Sequence, residues 1–221
     1  MCDYPLRVRQ FPSAVLSAAC VLAFSLVLVP LLSAAEPKPE EGFTPLFNGN
    51  DLSGWVVMGD AKGWKVVDGV IHSDAGNNGQ WLRSEKEYGD FVLKLEWKVS
   101  EGGNSGVFIR AKKEDAPWVT GYEIQISNPR QDEAHCTGSL YSYVPVKMRP
   151  DESAGKWHTL EITCQGSKIR VVAGGVECID YDQATSEKTK DKPLKGFIGL
   201  QDAHAAAGNT IEYRNIRIKE L

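Results

Sequence analysis

Short stretches of alternating apolar and polar residues, separated by glycine-rich turns, constrain this chain more than any other feature. The clearest is Phe91–Val99, in which every second residue is apolar, so that one face of a strand is buried and the other is wet. No amphipathic helical stretch of useful length and no internal repeat accompanies it. Many short strands separated by turns predict an all-β antiparallel sandwich of two sheets. The other regular strands are expected at residues 159–164, 168–172, 177–181, 197–200 and 211–218.

Two further predicted strands, within residues 103–110 and 121–126, carry polar residues among apolar ones. Because side chains alternate along a strand, Glu123 and Gln125 share one face, and Phe108 and Arg110 share a face of the neighbouring segment. Burying a carboxylate, an amide or a guanidinium is costly unless a partner compensates. We interpret these residues as a polar floor on the concave side of a sheet, where a sugar could lie. The alternative is that Arg110 and Glu123 pair across neighbouring strands.

The N-terminal segment has the organisation of a secretory signal. Arg7 and Arg9 precede an uncharged, mostly apolar run at 11–35 that ends in small residues. This pattern predicts a signal peptide at 1–35, cleaved after about Ala35, and hence an exported protein, periplasmic or secreted. A retained N-terminal anchor is the second interpretation, since the run is long enough to span a bilayer. A polar tether at 36–41 and a single domain at 42–221 follow.

Charge and cysteine content limit the partners and the covalent links. The formal net charge is −4 and no basic tract occurs, which argues against a nucleic-acid partner. After signal removal no membrane partner is expected, and the oligomeric state stays open. Three cysteines, Cys136, Cys164 and Cys178, follow the signal, so a single Cys164–Cys178 bridge is one option. The other is that Cys164 packs in the core. The polar loop at 182–192 is expected to be exposed and mobile.

Several motifs taken in order resemble one known family. They are the segment 46–55 (LFNGNDLSGW), then 104–106 (NSG), 121–126 (GYEIQI), 137–141 (TGSLY), 199–202 (GLQD) and 213–218 (YRNIRI). Together they resemble the 3-keto-disaccharide hydrolase family over nearly all of 42–221. The resemblance implies a concanavalin A-like jelly-roll sandwich, export from bacterial cells, and a small carbohydrate substrate, a glycoside already oxidised at C3. The chain departs from the pattern of this family in two places, at Trp157-His158 and at His204, which is displaced from the family's position. The displacement puts in doubt any role of a histidine at that end of the 199–202 motif.

Cleavage of a 3-keto-glycoside requires fewer catalytic carboxyl groups than cleavage of an ordinary glycoside. An ordinary glycosidase needs two carboxyl groups, but the 122–127 strand offers only Glu123. A 3-keto-glycoside has an acidic C2 proton, so one base, one acid and a donor for the enolate suffice for β-elimination at C1 and later addition of water. We predict Glu123 or His135 as the base and Tyr141 as the acid. The predicted substrate contacts are Asn104, Arg110, Gln125, Gln201 and Trp118.

The sequence contains no recognisable binding motif for a metal or for another cofactor. It contains no H-E-x-x-H and no C-x-x-C motif. A divalent ion held by loop oxygens would leave almost no signature, and Asp202, Glu123 and Asp74 are the candidate ligands. Two other function classes stay open beside the 3-keto-glycoside enzyme. One is a non-catalytic carbohydrate-binding module, and the other is a conventional glycoside hydrolase with a second carboxylate supplied by a loop.

Overall fold

The computed structural model describes residues 40–78, 80–129 and 131–221, so the predicted signal peptide and most of the tether lie outside the described residues. Strands dominate this part of the chain, and no helix in it is long and apolar enough to cross a membrane. A single α-helical turn, α1, spans Pro117–Thr120, and two 3₁₀ turns span Ala61–Gly63 and Gln183–Thr185. The strands are β1 (Thr44–Pro45), β2 (Trp55–Val57), β3 (Lys65–Val67), β4 (Val70–Asp74), β5 (Trp81–Tyr88), β6 (Phe91–Val99), β7 (Asn104–Ala111), β8 (Tyr122–Ser127), β9 (His158–Gln165), β10 (Lys168–Ala173), β11 (Val176–Asp182), β12 (Gly196–Gln201) and β13 (Thr210–Glu220).

The strands form two antiparallel sheets, which confirms the predicted fold class. The larger sheet has the order β11-β10-β9-β6-β13-β4-β3, with β1 paired to β13. The smaller sheet has the order β2-β5-β12-β7-β8. Each predicted regular strand is present, extended by a residue or two at its ends, and β6 has the predicted bounds. The short strands β1 to β4 and the longer strand β5 were not predicted.

One continuous apolar core separates the two sheets. The alternate residues of β6, among them Leu93, Leu95 and Trp97, are buried there and face apolar residues of the smaller sheet such as Ile124 and Leu200. The intervening residues of β6 are only partly buried, as the period of two requires. Burial of apolar surface on this scale is the main favourable term in folding. The core thereby fixes which face of β8 is left for polar side chains.

Arg110 does not lie where strict alternation places it. Between β7 and β12, Phe197 pairs with Ala111 and Gly199 pairs with Phe108, so β7 holds one extra residue in this interval. This bulge includes Arg110, whose φ of 53° is left-handed. The fully buried guanidinium donates to Gln183 (3.0 Å) and to the Gly166 carbonyl (2.7 Å). The prediction that Arg110 contacts substrate beside Glu123 is therefore wrong, because the bulge turns it toward the turn regions of the larger sheet.

The loop at 182–192 is exposed at most of its positions, as predicted, but it is anchored by a few buried side chains. Gln183 and Thr189 are buried, and the Gln183 amide donates to the Lys192 carbonyl (2.9 Å). The ammonium of Lys192 donates to the carbonyls of Val119 (2.5 Å) and Gly121 (2.6 Å), one within α1 and one just after it. The same ammonium lies over the rings of Tyr122 and Tyr143, 4.8 and 4.4 Å from their centroids. Burial lowers the pKa of Lys192 to about 8. This side chain ties the loop to α1.

The three cysteines of the domain, Cys136, Cys164 and Cys178, are buried free thiols. The option of a Cys164–Cys178 bridge is therefore wrong. Cys164 has the other role considered for it, since its side chain is fully buried in the core beside residues of β6. Glu40, at the end of the predicted tether, pairs with Lys94 and Arg217 on the outer face of the larger sheet.

Replacing Lys192 by methionine should destabilise the protein. The substitution keeps the aliphatic stem but leaves the Val119 and Gly121 carbonyls without their donor, which costs about 1–3 kcal/mol in a partly buried setting. Urea denaturation followed by circular dichroism measures the free energy of unfolding. The matched control is Lys190→Met in the same loop, whose exposed ammonium pairs with Glu187. It should change stability by less than about 0.5 kcal/mol. Equal stabilities of the two variants would contradict the anchoring role of Lys192.

Candidate active site

A cavity of about 570 Å³ lies on the face of the smaller sheet that points away from the core. Strands β7 and β8 form its floor, and α1 and the loops before β5 and after β12 form its walls. Its volume is in the range of small-molecule sites. Its lining mixes polar and aromatic residues: Asn78, Gln80, Trp81, Asn104, Phe108, Asp115, Ala116, Pro117, Trp118, Glu123, Gln125, Tyr141, Gln201, Asp202 and His204.

Glu123 is the buried acid of this cavity. Its side chain is only 4% exposed, and burial raises the pKa of its carboxyl to about 8. The space for it comes from Gly106 on the neighbouring strand β7. A Cβ atom at position 106 would lie 2.4 Å from Oε1 of Glu123, so any larger residue would displace the carboxyl. Glu123 is therefore a carboxyl group on the cavity floor that stays largely protonated at neutral pH.

An ordered row of amides adjoins this carboxyl. When the Gln125 amide is oriented so that both of its ends find partners, its nitrogen donates to Oε1 of Glu123 (3.1 Å) and to the Ser105 carbonyl (3.1 Å). The Asn104 side-chain amide lies 3.3 Å from the other end of the Gln125 amide group. From beneath, the Tyr213 hydroxyl of the larger sheet bonds Ser105 (2.7 Å) and the Gly106 carbonyl (3.1 Å). Because these residues hold one another, the polar floor is positioned before any ligand arrives.

Aromatic side chains form another part of the cavity lining. The rings of Trp81 and Phe108 meet edge to face with centroids 5.7 Å apart, and Trp118 lies 6.4 Å from Phe108. Gly199 of β12 allows this packing, since a Cβ there would lie 2.4 Å from the Trp81 ring. Trp81 is buried, whereas Trp118 on α1 is 44% exposed at the rim. Flat apolar rings beside hydrogen-bonding groups suit a ligand with one apolar face and several hydroxyls.

Loops bring further polar groups to the cavity edge. The backbone of Gln80 donates to the Asp202 carboxylate (2.8 Å), and the Asp202 N–H donates to the Gln80 carbonyl (2.9 Å). The N–H of His204 donates to the Asn104 carbonyl (2.9 Å). Tyr141 lies beside the acid because its N–H donates to the Glu123 carbonyl (2.9 Å). The cavity thus has a second and a third carboxylate at its edge, those of Asp202 and Asp115.

The structure brings most of the predicted site residues together. Six of them line the cavity: Glu123, Tyr141, Asn104, Gln125, Gln201 and Trp118. His135 and Arg110 are not among the lining residues. His135 binds Asp132 through Nδ1 (2.8 Å) and Ser142 through Nε2 (3.1 Å), and its ring lies 5.0 Å from that of Tyr141. It therefore contacts the wall of the cavity from behind. Gln201 lines the cavity, and its buried Oε1 has no hydrogen-bond partner among the described residues.

The candidate metal ligands are split by the fold. Asp202 and Glu123 both line the cavity, but Asp74 pairs with Lys65 (2.8 Å) and His72 (2.7 Å) in the β3–β4 region. Among residues 40–78, 80–129 and 131–221 no cluster of three or more His, Cys, Asp or Glu side chains is arranged to hold a metal ion. The involvement of a divalent ion stays a prediction.

Sequence reasoning did not assign several lining residues to the site. Phe108 had a usable signal, since it alternates with buried Val107 and Ile109 and lies opposite Glu123 in the β7–β8 register. Asp115 and Gln80 lie in loops, at φ values of 66° and 53°, where no periodicity operates. Trp81 could equally have capped the core. His204, which the departure from the family pattern had put in doubt, does line the cavity.

Comparison with known proteins agrees with this architecture. The model of the 3-keto-alpha-glucoside-1,2-lyase-like domain family matches residues 42–219. A 3-keto-disaccharide hydrolase of Bacteroides thetaiotaomicron is 26% identical in an alignment of 238 positions that covers 84% of this chain and 80% of the relative. A solved structure from Parabacteroides distasonis, assigned to the glycosyl hydrolases, is 25% identical with a TM-score of 0.71, covering 82% of this chain and 94% of that one.

A more distant neighbour identifies the fold alone. The β-glucanase of Bacillus licheniformis is 15% identical with a TM-score of 0.53, and the match covers 81% of this chain and 97% of that one. The concanavalin A-like sandwich is thus confirmed. The matches also confirm the prediction of an enzyme, at the level of a hydrolase acting on glycosidic bonds. Since the family model matches most of the described chain, this protein belongs to the family of 3-keto-alpha-glucoside-1,2-lyase-like domains.

Proposed function

We propose that this protein cleaves 3-keto-glycosides, and in particular disaccharides oxidised at C3, by elimination across C1 and C2 followed by addition of water. The observation that carries this proposal is the single, deeply buried carboxyl of Glu123 facing a cavity with aromatic walls. The family and the curated relative support a substrate of this class.

The ketone makes a single base sufficient. In the first step the Glu123 carboxylate takes the proton at C2, and the electron pair of that C–H bond moves toward the C3 carbonyl as an enolate. The enolate then expels the oxygen substituent at C1, which takes a proton from an acid, and leaves a C1=C2 enone. Water adds its hydroxyl to C1 and a proton to C2, so the net reaction is hydrolysis. A desolvated carboxylate with a pKa near 8 is a stronger base than an ordinary glutamate.

The remaining roles fall to neighbours of Glu123. Tyr141 lines the cavity beside it and supplies the hydroxyl proposed as the acid for the leaving oxygen. The side-chain amides of Asn104, Gln125 and Gln201 line the cavity and are proposed to bind sugar hydroxyls, and an amide N–H can stabilise the enolate oxygen. Trp118 and Trp81 offer ring faces and edges to the apolar side of the sugar. A divalent ion, if bound near Asp202, would polarise the ketone.

A conventional glycoside hydrolase is the second candidate, and one observation favours it. Glu123 is protonated at neutral pH, as a general acid must be, and Asp202 supplies a second carboxylate at the same cavity. That mechanism would cleave an unoxidised disaccharide as well as the oxidised one. The two candidates therefore make opposite predictions about substrate and about pH.

Export, with cleavage after about Ala35, is part of the proposal, and mass spectrometry of the mature N-terminus tests it.

The first prediction concerns substrate and the proposed base. Purified protein should cleave a 3-keto-disaccharide and leave its unoxidised parent intact, and Glu123→Gln should lower kcat/KM by about 10²- to 10⁴-fold. The substitution keeps the size of the side chain and removes its basicity. Glu87→Gln, at an exposed position of β5, is the matched control and should retain activity. Each reaction is followed by chromatography with and without a chelator.

Three outcomes separate the alternatives. Cleavage of the unoxidised parent at a similar rate would establish the conventional hydrolase instead. Cleavage of neither substrate, with sugar binding retained by both variants, would make the protein a carbohydrate-binding module. Loss of activity with chelator, restored by a divalent cation, would show that a metal takes part.

The second prediction concerns the pH dependence of activity. If the ionised form of Glu123 is the base, kcat/KM rises with pH up to about 8 and is constant above it. If the protonated form were the general acid, kcat/KM would fall above about pH 8. Initial rates at saturating and low substrate over pH 6–9, corrected for spontaneous decay of the keto sugar, distinguish the two profiles.

The third prediction concerns stability. The folded state raises the pKa of Glu123 from 4.5 to about 8, so it binds this proton more tightly than the unfolded chain does. The corresponding stability is complete below about pH 4.5 and is lost as the pH rises through about 8. An amide cannot ionise, so Glu123→Gln should gain roughly 1–3 kcal/mol relative to wild type between pH 6 and pH 9. Denaturant unfolding of both proteins at the two pH values measures this. A difference that does not change with pH would contradict the raised pKa.

A further inference from the structure

A second, shallower cavity of about 450 Å³ adjoins the cavity that contains Glu123. The two share Asn78, Asp202 and His204, so they meet along one edge. The other lining residues of the second cavity are small, namely Gly76, Ala203 and Ala205. Together the cavities form one surface with two unequal compartments.

The two compartments differ in their chemistry. The aromatic side chains and the buried acid line only the larger one, so the sugar ring that loses its C2 proton belongs there. The smaller one combines an amide, a carboxylate and an imidazole with three residues that have little or no side chain. Such a lining offers hydrogen bonds to a polyhydroxylated group and leaves room for it, without selecting one ring face.

The edge shared by the two compartments is held in place. Asp202 and Gln80 exchange hydrogen bonds of 2.8 and 2.9 Å, and the His204 N–H donates to the Asn104 carbonyl on the floor of the larger cavity (2.9 Å). The loop after β12 is thereby fixed relative to β7, and with it the distance between the compartments. A bond that joins two sugars across this edge would lie beside Asp202 and His204.

We propose that the second cavity is the subsite for the leaving group, the sugar that departs from C1 of the oxidised ring. This inference rests on the proposed function, because it assumes that a 3-keto sugar occupies the larger cavity. Ala205 controls the space in this subsite. Its side chain is partly buried in the wall, and a bulky residue there would fill the volume that the second sugar needs.

The test compares two substrates that differ in their leaving groups, in wild type and in two variants. Wild type, Ala205→Leu and Ala205→Trp are assayed with a 3-keto-disaccharide and with the methyl 3-keto-glucoside, whose leaving group is methanol. The measured quantity is the ratio of kcat/KM for the disaccharide to that for the methyl glycoside. We expect this ratio to be highest in wild type, lower in Ala205→Leu and lowest in Ala205→Trp. The decrease from wild type to Ala205→Trp should be about tenfold or more. Using a ratio makes each variant its own control for folding.

Two further variants make the result specific. Ala206→Trp, at the exposed neighbouring position outside both cavities, should leave the ratio unchanged. Ala116→Trp narrows the larger cavity beside α1. If this variant selectively loses disaccharide cleavage and the Ala205 variants do not, the proposal is overturned. An unchanged ratio in both Ala205 variants would also overturn it. If wild type cleaves neither 3-keto substrate, the proposed function itself fails, which is a distinguishable result.

Discussion

The removal of the Glu123 carboxyl group from water is the constraint on which the site depends. Burying an ionisable group without an opposing charge is costly, and here the cost appears as a pKa near 8. The absence of a side chain at Gly106 and the Gln125 amide make the burial possible. The Tyr213 hydroxyl, from the other sheet, holds the strand beneath. Burial of apolar side chains in the core behind Glu123 offsets the folding free energy that is lost by burying this carboxyl group.

The same fold supports more than one chemistry, and the number of carboxylates on one strand distinguishes them. β8 presents Glu123, Gln125 and Ser127 on its cavity face, so the strand itself supplies one acid and one amide. Among the described residues that line the cavity, the other carboxylates come from loops, at Asp202 and Asp115. One buried base beside hydrogen-bond donors matches a substrate whose own ketone activates the C2 proton. Fold similarity alone does not make this distinction, and the residues of the cavity do.

Much of the fold and half of the cavity floor could be predicted from the sequence, because both depend on the period of two. That period correctly placed Glu123 and Gln125 opposite the apolar residues of β8, and it gave β6 its bounds. It failed at Arg110, where one extra residue in β7 reverses the alternation. It could not place Asp115, which lies in a loop at a φ of 66°, or Gln80 and Lys192, whose positions follow from hydrogen bonds between residues far apart in sequence. His135 was a plausible base by residue type, and only the three-dimensional packing shows that it lies behind Tyr141.

The most direct test of elimination at C2 is an isotope measurement. The purified protein converts a 3-keto-disaccharide in D₂O, and the released 3-keto sugar is analysed by NMR, with preformed product incubated alone to correct for spontaneous exchange. If the C2 proton is removed and replaced during each turnover, the product carries deuterium at C2 in excess of that control. Product that retains protium at C2 would show that the C1–oxygen bond is broken by direct displacement, and the account of Glu123 as the C2 base would be wrong.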